Sequence, residues 1–190
     1  MSKFTLMFVF GTLVIGSAFV YANNASSPLD HKVTSIDGKP VDLAQYKGKV
    51  VLVVNVASHC GNTKQYTNLE NLYKKYNEKG LTVLGFPANE FGKQEPGTDK
   101  EIAEFCTSRY KIDFPMFSKI VVKGKGIDPL YEFLTSDKTN AKFAGPISWN
   151  FEKFLIGRDG QVVERFAPKL NPESPEVIAA IEAELAKTGN

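Results

Sequence analysis

The chain has 190 residues, of which 43% are apolar and 23% are charged, and its formal net charge is +2. This length suits one domain with a substantial core, and the composition is that of an ordinary globular protein. A net charge so close to zero argues against a nucleic-acid-binding protein and against a polybasic membrane-surface protein.

Residues 1–22 have the pattern of a secretory signal peptide, because Lys3 precedes a mostly apolar run that ends in small residues at Ala22. We therefore expect an exported protein, periplasmic or secreted, in a compartment where thiols can oxidise. The apolar run of about 17 residues is also just long enough to span a bilayer, so an uncleaved segment would leave the protein membrane-anchored. Residues 23–30 are expected to be a polar linker, and residues 31–190 one domain.

The domain is predicted to begin with a short hairpin and a β-α-β unit, from alternating and β-branched runs, helical spacing and turn residues. In chain order, these elements are a hairpin at 32–36 and 40–43, a strand at 50–57, a helix at 63–79 and a strand at 81–86. Asp37-Gly38 supplies the turn of the hairpin, and Gly80 caps the helix. The two strands of such a unit are parallel, and the crossover between them is nearly always right-handed.

The second half is predicted to add helices and an antiparallel hairpin. The elements follow a turn-rich segment and are a helix at 98–110, a strand at 116–122, a short helix near 129–135, a hairpin at 150–156 and 162–166, and a last helix capped by Ser174. Thr98 and Glu101 have the spacing of a capping box. Periodicity alone gives an α/β protein without choosing among three-layer folds. The order of the elements is that of the thioredoxin-like fold, with a mixed central sheet flanked by helices and an N-terminal β-hairpin.

Cys60 lies between the buried strand at 50–57 and the helix at 63–79. In such a strand-to-helix turn, unpaired backbone N–H groups and the helix dipole stabilise a thiolate. Position alone leaves a reactive nucleophile and a structural thiol equally favoured. Thr63 stands where a Cys-x-x-Cys pair would have its second cysteine, so a thioredoxin-type disulfide-exchange site is excluded. A lone activated thiol suits attack on an electrophile such as a peroxide oxygen.

Three segments of the chain, in the right order, resemble the motifs of the glutathione peroxidase family. They are residues 55–63 around Cys60, residues 86–97 and Trp149-Asn150-Phe151. The similarity covers about residues 30–187. The resemblance implies a thioredoxin-like fold and a thiol peroxidase that reduces hydrogen peroxide and organic or lipid hydroperoxides to water and alcohols.

The resemblance also implies a catalytic tetrad of Cys60, Gln94, Trp149 and Asn150, carried by three loops. Cys60 would be the peroxidatic residue. The Gln94 amide and the Trp149 indole N–H are donors for a thiolate or for peroxide oxygens, and Asn150 can orient the leaving oxygen. Without the motifs, Gln94 would usually be a solvated surface residue, and a core residue would be an alternative for the chain's only tryptophan.

Cys106, in the predicted helix at 98–110, is the only other cysteine. The resemblance implies a resolving cysteine, which attacks the sulfenic acid of Cys60 and forms a Cys60–Cys106 disulfide. The alternative is an inert helical thiol packed against the sheet. The Cα atoms of a disulfide must come within roughly 7 Å, so we expect the helix to unwind partly during turnover.

The expected partners are a hydroperoxide substrate and a thioredoxin-like protein reductant, with glutathione left open as a second reductant. No long insertion precedes Trp149, and by comparison with the family this implies a monomer with an open site. No cofactor, metal or nucleic acid is expected, since His31 and His59 have no neighbours at metal-ligand spacing. The rival functions are an exported thiol–disulfide oxidoreductase or peroxide sensor that oxidises a partner protein, and a binding domain with a static disulfide.

Overall fold

The computed structural model describes residues 25–187, so the predicted signal peptide lies outside the described residues. Within the described part of the chain, no helix has the length and apolar character that crossing a membrane requires.

The described part of the expected linker packs against the domain and is not a free tether. Pro28–Asp30 form a 3-10 turn that the Ser27 side chain caps, and Leu29 is fully buried. The Ser27 hydroxyl also donates a hydrogen bond to the carbonyl oxygen of Gly160 at 2.6 Å. The polar composition of the segment gave no sign of this contact, because only Pro28 and Leu29 of the segment are apolar residues buried against the domain.

The described residues form a two-stranded hairpin and a four-stranded mixed sheet, with helices on both sides. The strands are β1 (Lys32–Thr34), β2 (Pro40–Asp42), β3 (Val50–Val56), β4 (Leu81–Pro87), β5 (Lys153–Ile156) and β6 (Val162–Phe166). The α-helices are α1 (Gln65–Tyr76), α2 (Asp99–Phe105), α3 (Pro129–Thr135), α4 (Asp137–Asn140) and α5 (Pro175–Ala186). The sheet order is β4-β3-β5-β6, with β3 and β4 parallel and the other pairs antiparallel. This confirms the predicted thioredoxin-like fold.

Every residue of β3 and β4 is buried because helices cover both faces of the sheet. Successive side chains of a strand point to opposite faces, and β3 therefore contributes to two separate cores. Leu52 belongs to the cluster that contains Leu69 of α1 and Ile181 of α5. Val53 belongs to the cluster that contains Leu134 of α3. The sheet is thus the middle of three layers.

The prediction of a strand at 116–122 is wrong, because this segment does not form a regular strand. Met116 and Phe117 make only isolated bridges, to Gly85 of β4 and to Ser35 after the first hairpin strand. The segment runs between the edge of β4 and the hairpin, so its backbone bonds are divided between two elements and do not form a ladder.

The helix predicted at 98–110 begins and ends as expected but is not uniform. Thr98 and Glu101 make both bonds of the capping box at its start. After α2 the chain continues as a π-helical turn over Cys106–Tyr110, and Lys111 ends it in the left-handed region at φ 55°. Wide turns of this kind are rare and often mark functional positions.

Candidate active site

The sheet topology brings the three loops with motif residues to one edge. β3 and β4 are parallel, so the segments that leave their carboxyl ends, with Cys60 and Gln94, start side by side. β5 is antiparallel to β3, so the segment that enters it, with Trp149 and Asn150, lies at the same edge. In α/β sheets, this edge is where ligands bind.

Cys60 is half-buried in the turn that follows β3. The backbone N–H of Asn62 donates a hydrogen bond to the Cys60 sulfur, with an N···Sγ distance of 3.3 Å. Thr63 fixes the turn, because its hydroxyl accepts from the Cys60 N–H and donates to the carbonyl of Ala57. Helix α1 begins only at Gln65, so the N–H that reaches the sulfur belongs to the turn and not to the helix. A donor at this place holds the sulfur in a fixed position within the turn.

Gln94 and Asn150 are joined directly. The Asn150 side-chain N–H donates to the Gln94 side-chain oxygen, with a distance of 3.0 Å between the two atoms. The carbonyl of Gln94 accepts from the backbone N–H of His59 at 3.0 Å, and the carbonyl of Asn150 accepts from the Asn62 side chain at 3.4 Å. These bonds connect all three loops. They also direct the Gln94 amide oxygen to Asn150, which leaves its NH₂ group as the donor for a ligand.

Asn150 is fully buried, and its side-chain oxygen accepts no hydrogen bond from the described residues. A buried acceptor without a partner is unfavourable unless water or a ligand satisfies it. The Asn150 side chain is therefore held in the interior by its bond to Gln94, with its oxygen unpaired among the described residues.

Trp149 is 41% exposed, so the interpretation of the single tryptophan as a core residue is wrong. Its ring packs at a tilt against Phe91, with 5.6 Å between the ring centroids. The ring therefore lies at the surface beside the loop that carries Gln94.

Asn55, the second-last residue of β3, holds the third loop in place. The Asn55 side chain donates to the carbonyl of Trp149 at 3.1 Å and accepts from the N–H of Glu152 at 3.1 Å, and its carbonyl accepts from the N–H of Phe151. Phe151 has a φ of 69°, a strained backbone for a bulky residue. The three bonds from one buried side chain and its backbone compensate for that strain.

None of the described hydrogen bonds connects Cys106 to the tetrad. It is 2% exposed and belongs to the apolar cluster against which Cys60 packs. Burial raises the pKa of the Cys106 thiol to about 11. Both cysteines are unbridged.

The sequence interpretation missed Asn55, Asn62 and Glu95 as supporting residues of the site. Glu95 is 1% exposed and accepts from the Ser58 hydroxyl at 3.1 Å, which ties the Cys60 loop to the Gln94 loop. Burial raises the pKa of Glu95. All three supporting residues stand inside the matched motifs, and that position is the signal that could have identified them.

The expectation of no metal site remains an expectation. Within residues 25–187, no three or more His, Cys, Asp and Glu side chains are placed to hold a metal ion. The arrangement instead consists of one thiol, amide and indole donors, and one unpartnered amide oxygen. These groups can activate a sulfur nucleophile and stabilise charge on a small oxygen-containing substrate.

Comparisons with known proteins show which family the chain resembles. A protein-family model described as glutathione peroxidase matches residues 29–135. The chain is similar to a glutathione peroxidase of Lactococcus lactis subsp. cremoris, with 52% identity over 147 residues, 77% of this chain and 93% of that protein. It is also similar to Thioredoxin/glutathione peroxidase BtuE of Escherichia coli, with 45% identity over 174 residues, 82% of this chain and 95% of that protein. The crystal structure of T. cruzi GPX1 superposes with a TM-score of 0.64 at 42% identity, covering 84% of this chain and 96% of that one.

Proposed function

Since the chain belongs to the glutathione peroxidase family, it is a thiol peroxidase, and we propose that Cys60 is its peroxidatic residue and Cys106 its resolving residue. The observation that carries the assignment of Cys60 is the Asn62 N–H on its sulfur, inside the hydrogen-bonded network of three loops. The substrates are hydrogen peroxide and organic hydroperoxides, which include lipid hydroperoxides.

In the first step the Cys60 thiolate attacks the terminal oxygen of ROOH. The O–O bond breaks, the sulfur becomes a sulfenic acid, and the leaving RO⁻ takes a proton to become ROH. The NH₂ group of Gln94 and the indole N–H of Trp149 donate to the oxygens as negative charge develops on them. Asn150 acts through Gln94, because its side-chain N–H holds the Gln94 oxygen and so leaves the Gln94 NH₂ group free for the substrate.

In the second step the Cys106 thiol attacks the Cys60 sulfenic acid, and the S–S bond forms as the sulfenic oxygen leaves as water. Cys106 is buried and its pKa is raised to about 11, so the reaction requires that the π-helical turn open. A thioredoxin-like protein then reduces the disulfide. The name of the Escherichia coli relative, Thioredoxin/glutathione peroxidase BtuE, supports this choice and keeps glutathione as a second candidate.

Thiol titration tests this scheme. Purified reduced protein is treated with less than one equivalent of hydrogen peroxide, and the remaining thiols are counted. Wild type should lose two thiols for each peroxide, Cys106→Ser should lose one, and Cys60→Ser should lose none. Turnover with thioredoxin should disappear in Cys106→Ser. Full turnover with glutathione alone, unaffected by Cys106→Ser, would contradict the two-cysteine mechanism.

The same titration separates the rival functions. A static disulfide predicts that the purified protein has no thiol to titrate without a reductant, whereas both cysteines are unbridged in the structure. An oxidoreductase or sensor predicts that oxidised Cys60 is reduced faster by a partner protein than by thioredoxin. The named peroxidases among the relatives favour turnover with a general thiol reductant.

The proposed enzyme is an exported monomer. The apolar run that ends at Ala22 supports export, and the absence of a long insertion before Trp149 supports the monomer. The protein recovered from the producing cells should have the mass of a chain that begins at Asn23. Its hydrodynamic size should be that of one chain. A full-length mass in the membrane fraction would show an uncleaved anchor instead.

A further inference from the structure

An apolar groove adjoins the proposed reaction centre. Its volume is about 300 Å³, and its lining residues are Asn62, Ser148, Trp149, Ala167, Pro168 and Lys169. Two of these belong to the reaction centre, since the N–H of Asn62 donates to the Cys60 sulfur and Trp149 is one of the proposed donors. A molecule whose reacting end lies at Cys60 can therefore extend into the groove.

A buried lysine holds one wall of the groove. Lys153 on β5 has no exposed surface, and its Nζ donates to the carbonyls of Ala167, Pro168 and Leu170 at 3.4, 3.2 and 2.7 Å. When protonated, the amine has three N–H donors, so these carbonyls match all of them. The Gln65 side chain of α1 adds a fourth bond to the wall, to the carbonyl of Pro168 at 2.7 Å.

Burial of a lysine at this position is energetically unfavourable. Its presence there is explained if its bonds fix the wall of the groove. Removing an ammonium from water is expensive, and burial lowers the pKa of Lys153 to about 7. The neighbouring Glu152 favours the charged form. All the bonds of the Lys153 amine go to backbone carbonyls of one short segment, so their effect is to fix the path of that segment.

We propose that the groove receives the organic group of a hydroperoxide substrate and that Lys153 is the positioning residue that sets its wall. This proposal rests on the proposed peroxidase function. A volume of about 300 Å³ is at the lower end for small-molecule sites, so the groove fits an aryl group or a short segment of an acyl chain. The Trp149 ring and Pro168 provide apolar contacts for such a group. Hydrogen peroxide has no organic group and does not need the groove.

The test compares two hydroperoxides on the same variants. We would measure the second-order rate constant of Cys60 oxidation by hydrogen peroxide and by cumene hydroperoxide, using thiol alkylation and mass spectrometry at timed intervals. In Lys153→Met the ratio of the cumene to the hydrogen peroxide rate constant should fall by about tenfold, the size expected when a pocket loses its fit to an apolar group. In Gln65→Leu the ratio should fall less. Lys75→Met, a change of an exposed lysine on α1, is the matched control and should leave the ratio unchanged.

The outcomes are distinguishable. An unchanged ratio in folded Lys153→Met, or an equal loss of both rate constants, would overturn the proposal, because a purely structural lysine does not affect selectivity. If Lys153→Met fails to fold, the ratio in Gln65→Leu decides in the same way. A wild type that reacts with neither hydroperoxide would contradict the proposed function itself.

Discussion

Opening of the π-helical turn can be tested at Ser108, an exposed residue of this turn that is two positions from Cys106. Ser108→Gly and Ser108→Ala change the helix propensity and leave both cysteines in place. Glycine is about 1 kcal/mol less favourable than alanine in a helix. If the turn opens during turnover, the population of the open form should be about fivefold larger in the glycine variant.

The rate of disulfide formation should follow this population. Burial raises the pKa of the Cys106 thiol from 9.0 to about 11. A difference of two units means that the open form has about a hundredfold more thiolate at neutral pH than the closed form. Reaction through the open form is therefore strongly favoured, and Ser108→Gly should form the Cys60–Cys106 disulfide about five times faster than Ser108→Ala.

The assay mixes reduced protein with one equivalent of hydrogen peroxide and stops the reaction with an alkylating reagent. Mass spectrometry then measures the sulfenic acid and the Cys60–Cys106 disulfide separately. Oxidation of Cys60 should be equally fast in both variants, since only the second step requires opening. Ala183→Gly, at an exposed position of α5, is the control for a general loss of stability. Equal disulfide rates at Ser108, or an equal acceleration in Ala183→Gly, would refute local opening.

Three further predictions concern single side chains. Asn150→Ala removes the bond to the Gln94 oxygen and should slow peroxide consumption by at least about tenfold; a twofold effect would exclude an orienting role for Asn150. Trp149→Phe keeps an aromatic ring but loses the indole N–H, so peroxide consumption should fall by about tenfold while the thermal midpoint stays the same. Lys153→Met tests the buried amine. Between pH 7 and 10.5 the unfolded chain binds the lysine proton and the folded chain does not, so the free energy of unfolding of wild type should rise relative to the variant by about 1.4 kcal/mol per pH unit. Urea unfolding at pH 7, 8 and 9 measures this difference, and a constant difference would show that the carbonyls keep the amine protonated.

The sequence predicted the parts of the fold that local patterns determine. The continuous apolar runs of β3 and β4 and the Thr98–Glu101 capping box are examples, because each depends on neighbours in sequence. The segment 116–122 was predicted wrongly, since its bonding depends on how two distant elements are placed beside it.

The candidate site could likewise be predicted from the sequence only where local motifs determine it. The three motifs predicted Cys60, Gln94, Trp149 and Asn150 as site residues. They did not identify the residues that support these four. The clamp by Asn55 and the burial of Lys153 depend on contacts with segments about 100 and 15 positions away in the chain. A lysine in an amphipathic pattern is normally expected at the surface, so no local signal indicated that Lys153 is in the core.

The position of Trp149 has a practical consequence. It is the only tryptophan of the chain, it is partly exposed, and it borders both the groove and the proposed reaction centre. Tryptophan is the strongest intrinsic fluorophore of a protein, and here it lies beside the proposed reaction centre. Indole emission responds to the polarity of its surroundings and is quenched by nearby sulfur, so an added label is unnecessary. Oxidation, reduction and occupation of the groove can each be followed as a change in emission, in real time and on the native chain.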